Sequence, residues 1–540
     1  MTSLSQIKLD PELYDGNIEY KLKLTNLDDE KLEKRATQMK YRIHEGSGEA
    51  IYMIGVLDNG LVQGIEEKEY LETIDNLKKI ALKIDCIITK ISENISNNLY
   101  SSEYLIRENE TNTYIDLKIG VAGNVDAGKS TTIGTLTKGI LDDGRGKARV
   151  HVFNYKHEVE TGRTSSIGHQ IMGYDKEGTI INSKYDRTPT WQEIVQQSSK
   201  IVSFYDFAGH EKYLRTTIYG LTSMFPDYCL IMVGANMGIN HMTKEHISLC
   251  LTLKIPFIII ISKIDIVPEN ILEDTLTKIK QLCKNGIRKV PFLVKNISDV
   301  INVAKNIKSD SIVPIIQISN VTNHNLDLLK ILFNILPIRN DFSQAINLPV
   351  EFLIDNTYAV TGHPVIVSGI LKSGTIKTND LLSIGPYYDG SYKQVKVRSI
   401  HCKYKEVKEA KAGLYICVSI KNISRGEIKK GMVLVPDNNI SSKLAVREFK
   451  ALVHILHSPT TIRIGYRPFI HVDQVRQSVE IIEIIKINDD DNLLLRTGDK
   501  AYVKLRFISK PEHIKPDMRL IFREGKVRAV GKVVADDLII

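Results

Sequence analysis

Glycine, lysine and serine stand at a spacing that suits phosphate binding in the segment Gly123-Asn-Val-Asp-Ala-Gly128-Lys129-Ser130. The segment fits the pattern GxxxxGK[ST], follows an apolar run at residues 117–122 and precedes a helix-compatible stretch. Glycines let the backbone fold closely round an anion, so that successive N–H groups and a helix N-terminus face it. Lys129 would reach the β- and γ-phosphates of a nucleoside triphosphate, and the Ser130 hydroxyl would bind Mg²⁺. The expected nucleotide-binding residues of this loop are Gly123, Asn124, Val125, Asp126, Ala127, Gly128, Lys129, Ser130 and Thr131.

An acidic motif, Asp206-Phe-Ala-Gly209, directly follows the next apolar run at residues 201–205. A carboxylate at the end of a buried strand can hold the Mg²⁺ shell, commonly through water. Gly209 permits the backbone to approach the γ-phosphate and to rearrange when that group leaves. Taken alone, this motif is also an ordinary strand-to-loop turn. Its order and setting after the phosphate loop favour the nucleotide interpretation.

Two further polar segments could recognise the base. Ser262-Lys263-Ile264-Asp265 follows an apolar run and resembles the guanine motif [NT]KxD. The Asp265 carboxylate can accept hydrogen bonds from guanine N1–H and N2–H₂, a pattern that adenine lacks, while the Lys263 stem would cover the purine face. Ser319-Asn320 follows the last apolar run, where a backbone N–H would meet guanine O6. Four such motifs in this order predict GTP as the nucleotide.

These residues require a sheet that brings strand ends together. From residue 114 to about 340, apolar runs alternate with helical segments, which predicts an α/β GTP-binding domain with a mostly parallel sheet and helices on both faces. The apolar runs lie at residues 115–122, 200–205, 228–233, 256–261 and 313–318. A linker is expected at residues 337–349.

The flanking segments predict other domains. Residues 1–113 mix helical patterns at 32–41 and 70–82 with strand patterns at 49–56 and 84–91, followed by a polar loop at 94–98. They are expected to form a small α/β domain. Beyond the linker, short strands broken by glycine turns predict two all-β barrel domains, at residues 341–440 and 441–540.

Composition narrows the class of protein. At 540 residues the chain is too long for one hydrophobic core, so several domains are expected. Its six cysteines include no CxxC pair, which argues against a disulfide framework or a structural zinc site. The N-terminus lacks a signal pattern, and the most apolar run, at residues 255–261, is too short to cross a bilayer. We expect a soluble, cytoplasmic protein that does not bind a membrane.

The net charge of +8 is unevenly distributed, because an acidic N-terminal segment offsets a basic remainder. A basic C-terminal half is compatible with RNA contact. It is equally compatible with a solvated surface of slight basic bias.

Several segments resemble the GTP-binding protein 1 and 2 family, a branch of translational GTPases similar to elongation factor Tu and eukaryotic elongation factor 1 alpha. These segments are GNVDAGKST at residues 123–131, residues 139–146, KHEVETGRTSSIG at 156–168, DFAGHEKYL at 206–214 and MTKEH at 242–246. Residues 45–55 resemble that family's leading domain. Residues 360–363 and 369–376 resemble the second domain of elongation factor Tu, and residues 465–468 and 522–531 resemble its third.

The resemblance implies roles that spacing does not supply. His210 matches the residue that translational GTPases use to position the attacking water, and Thr164 matches the first-switch threonine that completes Mg²⁺ coordination. Asp126 and Val125 match a phosphate-side acid and one wing of an apolar gate. The implied catalytic residues are His210, Lys129 and Thr164, the implied Mg²⁺ ligands are Ser130, Thr164 and Asp206, and the implied cofactors are GTP/GDP and Mg²⁺.

Three positions depart from the pattern of elongation factor Tu. Arg163 stands where that factor has isoleucine, so the apolar gate is altered. Thr164, Ser165 and Ser166 leave the Mg²⁺ ligand ambiguous by one or two positions. Ser262 replaces the usual Asn or Thr of the guanine motif and removes an amide.

Three functions follow from the resemblance as alternatives. The first is a monomeric GTPase that binds aminoacyl-tRNA and the ribosome. The second is a GTP-switched adaptor in ribosome rescue or mRNA turnover, with RNA-decay or rescue factors as partners. The third is a metabolic GTPase of the sulfate-adenylylating type, which the KHEVETGRTSS segment and the N-terminal domain argue against.

Overall fold

The computed structural model describes residues 9–109, 114–153, 155–183, 187–358, 364–438, 444–486, 494–524 and 527–534. These residues fall into two compact units. The first unit holds the described residues of Met1–Tyr213, Pro226–Cys250 and Ile255–Arg339. The second holds those of Leu214–Phe225, Leu251–Lys254 and Asn340–Ile540.

The N-terminal part of the first unit is a small α/β arrangement, as its mixed patterns predict. Its elements are β1 (Ile18–Lys21), α1 (Asp29–Glu45), β2 (Glu49–Ile54), β3 (Ile65–Glu66), α2 (Glu67–Lys83), β4 (Cys86–Ser96) and β5 (Leu99–Glu108). The strands form one sheet in the order β1-β2-β5-β3, and β4 also pairs with β5. The loop expected at residues 94–98 is shorter than predicted, because Asn97 and Asn98 alone make the turn, both with positive φ.

Alternation along β2 and β5 places the two faces of this sheet in different cores. Tyr52 and Ile106 pack among residues of α1 and α2. Their neighbours Met53 and Leu105 join the large cluster that contains Leu329 and other residues of the nucleotide-binding domain. Since successive side chains of a strand point to opposite faces, the sheet is buried on both sides within the first unit.

The rest of the first unit is built on a seven-stranded sheet of order β11-β12-β10-β9-β6-β8-β7. The strands of residues 115–317 are β6 (Ile115–Gly123), β7 (Gly168–Tyr174), β8 (Lys200–Asp206), β9 (Tyr228–Gly234), β10 (Phe257–Ser262), β11 (Val290–Leu293) and β12 (Ile312–Gln317). The helices are α3 (Lys129–Lys138), α4 (Lys147–Val150), α5 (Lys156–Thr161), α6 (Trp191–Gln197), α7 (Leu214–Ser223), α8 (His241–Leu253), α9 (Glu269–Gln281), α10 (Ile297–Asn306) and α11 (Leu326–Ile335). By its contacts, α7 belongs to the second unit.

The predicted, mostly parallel sheet is confirmed, and each of the five expected apolar runs is one of its strands. Two edge strands were not predicted. β7 pairs antiparallel with β8, and β11 pairs parallel with β12. Parallel pairing of β6 with both β8 and β9 brings the carboxyl ends of these strands to the same edge. The phosphate loop and Asp206 therefore start side by side.

The second unit contains the two all-β barrels that the glycine-punctuated strands predict. Strands of the first are β13 (Glu351–Tyr358), β14 (Val365–Ser373), β15 (Thr375–Lys377), β16 (Leu381–Gly385), β17 (Lys393–Cys402), β18 (Lys405–Val407), β19 (Glu409–Lys411), β20 (Tyr415–Lys421) and β21 (Val433–Pro436). Six of them close in the order β16-β21-β13-β14-β20-β17, because β16 also pairs with β17. β18 extends that sheet, and β15 pairs with β19.

The second barrel is closed in the order β22-β25-β24-β23-β26-β27. Its strands are β22 (Glu448–His457), β23 (Phe469–Val472), β24 (Val475–Lys486), β25 (Lys500–Phe507), β26 (Arg519–Glu524) and β27 (Val527–Val533). The predicted boundary between the barrels at residues 440/441 and the motif at residues 360–363 lie outside the described residues. Across the ranges that the structure describes, no helix combines the length and apolarity needed to cross a membrane.

Hydrogen bonds within the second unit attach α7 to both barrels. Tyr219 donates its hydroxyl to the Asp355 carboxylate at 2.6 Å, and Tyr415 donates to the same carboxylate at 2.9 Å. The Thr222 hydroxyl donates to the Asp473 carbonyl at 2.9 Å. The helix that follows the acidic motif is thus part of the barrel packing.

Candidate nucleotide-binding site

The phosphate loop connects β6 to α3 and depends on two close backbone approaches. Gly123 has a φ of 142°, and a Cβ at this position would lie 2.4 Å from the Met232 carbonyl oxygen. A Cβ at Gly209 would lie 2.4 Å from the Lys129 ammonium and 2.7 Å from the Gly123 carbonyl oxygen. Glycine is therefore required at both positions. Lys129 opens α3 and donates to the Asn124 carbonyl at 2.8 Å.

Three oxygen-bearing side chains meet next to this loop. The Ser130 hydroxyl donates to Asp206 Oδ2 at 2.5 Å. The Thr164 hydroxyl lies 3.0 Å from the Ser130 hydroxyl and 3.2 Å from the same carboxylate oxygen. Asp206 Oδ1 is buried and accepts no hydrogen bond from the described residues. Hydroxyl and carboxylate oxygens are the ligands that Mg²⁺ prefers, so this donor set fits the ion.

Of the three hydroxyl residues of the first switch, Thr164, Ser165 and Ser166, a buried glutamate binds the two serines. The amide and hydroxyl of Ser165 donate to Glu158 Oε1 at 2.8 and 2.9 Å, and those of Ser166 donate to it at 3.0 and 3.1 Å. Glu158, at 1% exposure, thus holds both serines. Thr164 is the member of the three whose hydroxyl points at Asp206. Sequence alone does not distinguish among these three hydroxyl residues.

Burial perturbs both charged groups at the phosphate end. The pKa of the Lys129 ammonium is lowered by burial, against the attraction of Asp206 and Asp126. The pKa of the Asp206 carboxyl is raised by burial, against the attraction of Lys129 and the hydrogen bonds from Ser130 and Thr164. Both groups therefore lie where their charged forms need a partner of opposite sign. A triphosphate and a divalent cation supply those signs.

His210 lines a cavity together with Lys129, Ser130 and Thr164. Its Nδ1 accepts a hydrogen bond from the Lys212 amide at 3.1 Å. Its ring lies edge-on to the Tyr213 ring, with 6.1 Å between the ring centroids. In the neutral ring Nε2 then carries the proton and can donate to a water. The side chain is partly exposed, which allows it to reorient.

The cavity collects most of the predicted phosphate-end residues together with Arg149 and Gly162, two residues that sequence reasoning missed. Its lining residues are Val125, Asp126, Gly128, Lys129, Ser130, Thr131, Arg149, Gly162, Arg163, Thr164, Gly209 and His210. Arg149, Gly162 and Glu158 were not predicted as site residues. Glu158 and Gly162 lie in segment 156–168, and Arg149 lies just after segment 139–146. Only the family resemblance of these two segments pointed to these residues.

The residues predicted to bind the base are brought together only in part. The Ser262 hydroxyl donates to the Ala127 carbonyl at 2.8 Å, and the Asn320 amide donates to the Thr132 hydroxyl at 2.9 Å. Both residues thus contact the phosphate loop or its helix. Lys263, with a φ of 60°, leads into an exposed turn that carries Asp265, and neither residue lines the cavity.

Ser319 stabilises the other base-side turn. Its hydroxyl accepts hydrogen bonds from the amides of Val321 at 3.2 Å and Thr322 at 3.1 Å. Asn320 Oδ1 is buried without a partner among the described residues. This end of the site therefore has a polar acceptor that a ligand could satisfy.

Two segments of the chain match known protein families in sequence. Residues 116–338 match the family described as elongation factor Tu GTP binding domain, and residues 365–435 match elongation factor Tu domain 2. The chain is 43% identical over 500 residues to GTP-binding protein 1 of Xenopus laevis, covering 92% of this chain and 75% of that protein. It is 40% identical over 538 residues to GTP-binding protein 2 of Homo sapiens, covering 97% of this chain and 88% of that protein.

More distant similarity extends to translation factors. Elongation factor 1-alpha of Methanopyrus kandleri is 25% identical over 447 residues, covering 78% of this chain and 96% of that protein. A solved bacterial selenocysteine-specific elongation factor superposes with a TM-score of 0.57 at 17% identity, covering 78% of this chain and 58% of that longer chain. This structural likeness shows a shared fold. From the sequence identities and the two matched domains, the chain belongs to the GTP-binding protein 1 and 2 family of translational GTPases, and it is a GTPase.

Proposed function

We propose that this GTPase is an elongation-factor-like protein that binds aminoacyl-tRNA and the ribosome, acting as a cytoplasmic monomer. The observation that carries the proposal is the order of matched domains. A domain 2 of the elongation factor Tu type directly follows the GTP-binding domain. The similarity to elongation factor 1-alpha over nearly that protein's whole length supports the same reading.

Hydrolysis in this proposal uses the residues of the phosphate end. Lys129 binds the β- and γ-phosphates, and the loop amides stabilise their charge. Ser130, Thr164 and Asp206 would hold Mg²⁺, which would supply positive charge to the phosphate oxygens. His210 orients the attacking water through Nε2. Thr164 would complete the coordination of Mg²⁺ only while the γ-phosphate is present, so that hydrolysis would release the first switch.

The base is read by the other group of residues. Asp265 accepts hydrogen bonds from guanine N1–H and N2–H₂, and the Lys263 stem covers the purine face. Ser262 takes over a structural role, since its hydroxyl holds the phosphate loop at Ala127. The remaining proposed nucleotide contacts are Gly123, Asn124, Val125, Asp126, Ala127, Gly128, Thr131, Gly209, Ser319 and Asn320.

The deciding experiment measures whether the full chain protects the ester of aminoacyl-tRNA from hydrolysis. The protein is loaded with a non-hydrolysable GTP analogue or with GDP, and an Asp206→Asn variant serves as the control for the metal-dependent state. Protection only in the triphosphate form of the unmodified chain is the expected result. Absence of protection in either state, with GTP still bound, would overturn tRNA delivery and favour a GTP-switched adaptor in ribosome rescue or mRNA turnover.

A further inference from the structure

We propose that Arg149 contacts the terminal phosphate of bound GTP and supplies a second protein cation, from within the chain, to the hydrolysis reaction. Arg149 lies on α4 and lines the same cavity as Lys129, Thr164 and His210. None of the phosphate-binding motifs accounts for it. The inference concerns a further residue for the GTPase reaction and does not depend on the tRNA proposal.

Two glycines place the Arg149 side chain. A Cβ at Gly146 would lie 2.4 Å from Arg149 Nε, and a Cβ at Gly162 would lie 3.1 Å from a terminal guanidinium nitrogen. Both glycines have positive φ, 99° and 65°, which other residues rarely adopt. The guanidinium therefore lies along bare backbone, next to the segment that carries Thr164.

The charge of the cavity wall fits this role. Among the described residues that line it, Lys129, Arg149 and Arg163 are cations, whereas Asp126 is the one carboxylate. A triphosphate brings several negative charges into the same space. A cavity wall with this excess of positive charge attracts such an anion and raises its local concentration at the site.

Arg149 suits the terminal phosphate better than Arg163 does. Arg163 is exposed, whereas Arg149 is partly buried and held by its two glycine neighbours. A guanidinium that is already positioned loses less conformational freedom on binding, and its planar fork can donate two parallel hydrogen bonds to phosphate oxygens. Charge on those oxygens redistributes during phosphoryl transfer, and an arginine placed there stabilises the transition state.

The test compares intrinsic GTP hydrolysis, in the absence of ribosomes, for Arg149→Ala, Arg149→Lys and the unmodified full chain. Calorimetry measures GDP affinity with and without aluminium fluoride, which mimics the transferring phosphoryl group. We expect Arg149→Ala to lower single-turnover hydrolysis by about a hundredfold or more and to abolish the gain in affinity from aluminium fluoride. GDP affinity should stay within about threefold, because GDP lacks the group that Arg149 contacts.

Two variants separate this role from a structural one. Lys147→Ala, on the exposed side of the same helix, should hydrolyse GTP at the unmodified rate. Arg149→Lys should recover little of the loss, because an ammonium cannot donate the paired hydrogen bonds of a guanidinium. Unchanged hydrolysis in Arg149→Ala, full recovery with lysine, or an equal loss of GDP affinity and turnover would each overturn the assignment. Arg163→Ala is assayed in parallel. A loss of hydrolysis in that variant alone would overturn the assignment and give the role to Arg163.

Discussion

Lys200, at the start of β8, donates a 2.6 Å hydrogen bond to the Glu49 carboxylate at the start of β2. Arg107 donates to the other oxygen of that carboxylate at 2.9 and 3.0 Å. Lys200 also donates to the carbonyls of Asn334 and Leu336, at 2.8 and 2.7 Å. Glu49, Arg107 and Lys200 are each no more than 2% exposed. A buried ion cluster therefore joins the N-terminal sheet to the strand that ends at Asp206.

Removing one member of this cluster leaves a buried charge short of a partner. We expect Lys200→Met to lower the free energy of unfolding by about 3–5 kcal/mol, measured by urea denaturation of the full chain. Lys34→Met removes an ion pair with Glu30 whose side chains are 72% and 80% exposed, and it should cost less than about 1 kcal/mol. Equal effects from the two substitutions would contradict the importance of the buried cluster.

The buried carboxyl of Glu103 should make the stability of the fold depend on pH. Burial raises the pKa of its carboxyl from the ordinary 4.5 to about 7. Between these values the folded chain keeps a proton that the unfolded chain has lost, so rising pH lowers the stability that this group contributes. Glu103→Gln should therefore raise the free energy of unfolding at pH 8 by about 1–3 kcal/mol and change it little at pH 4. Denaturation at both pH values tests this, with the exposed Glu108→Gln in the same strand as control.

How well each part of the molecule could be predicted depends on how local its sequence pattern is. Strand β10 is buried on both faces and reads as a continuous apolar run, so its end at Ser262 could be placed from sequence. Edge strand β7 carries glycine, histidine and glutamine and has no such run. The contacts of Glu158 and Arg149 with the first switch depend on how a long loop folds. No period or spacing encodes that path.

Glu158 should set how well the first switch is ordered. We expect Glu158→Gln to raise the Mg²⁺ concentration needed for half-maximal binding of a GTP analogue about tenfold, because the weaker acceptor releases Ser165 and Ser166 and frees Thr164 beside them. Fluorescent-nucleotide titration over a Mg²⁺ series measures this. GDP affinity should hold, and so should both affinities in Glu160→Gln on the exposed side of α5. A loss that is equal for GDP and the analogue would assign Glu158 to general folding.

Asp265 is proposed to select guanine. In Asp265→Asn one carboxylate oxygen becomes an amide donor, which faces the guanine donors N1–H and N2–H₂ and cannot accept from both. We expect GTP affinity to fall about a hundredfold or more and affinity for xanthosine triphosphate to rise, since xanthine has an oxygen where guanine has its amino group. Competition of both nucleotides against a labelled GTP analogue measures the change. Parallel losses for the two bases would show that Asp265 supports the turn and does not read the base.

His210 is the residue whose proposed role separates binding from chemistry. Since its Nδ1 is held by the Lys212 amide and Nε2 remains to orient water, His210→Ala should leave GTP affinity unchanged and lower ribosome-stimulated hydrolysis by about two orders of magnitude or more. Single-turnover hydrolysis with saturating ribosomes, alongside equilibrium GTP binding, gives the two numbers. Glu211→Ala, an exposed neighbour, should leave both unchanged. If binding and turnover fell together in His210→Ala, the histidine would be holding the turn after Gly209 and another group would orient the water.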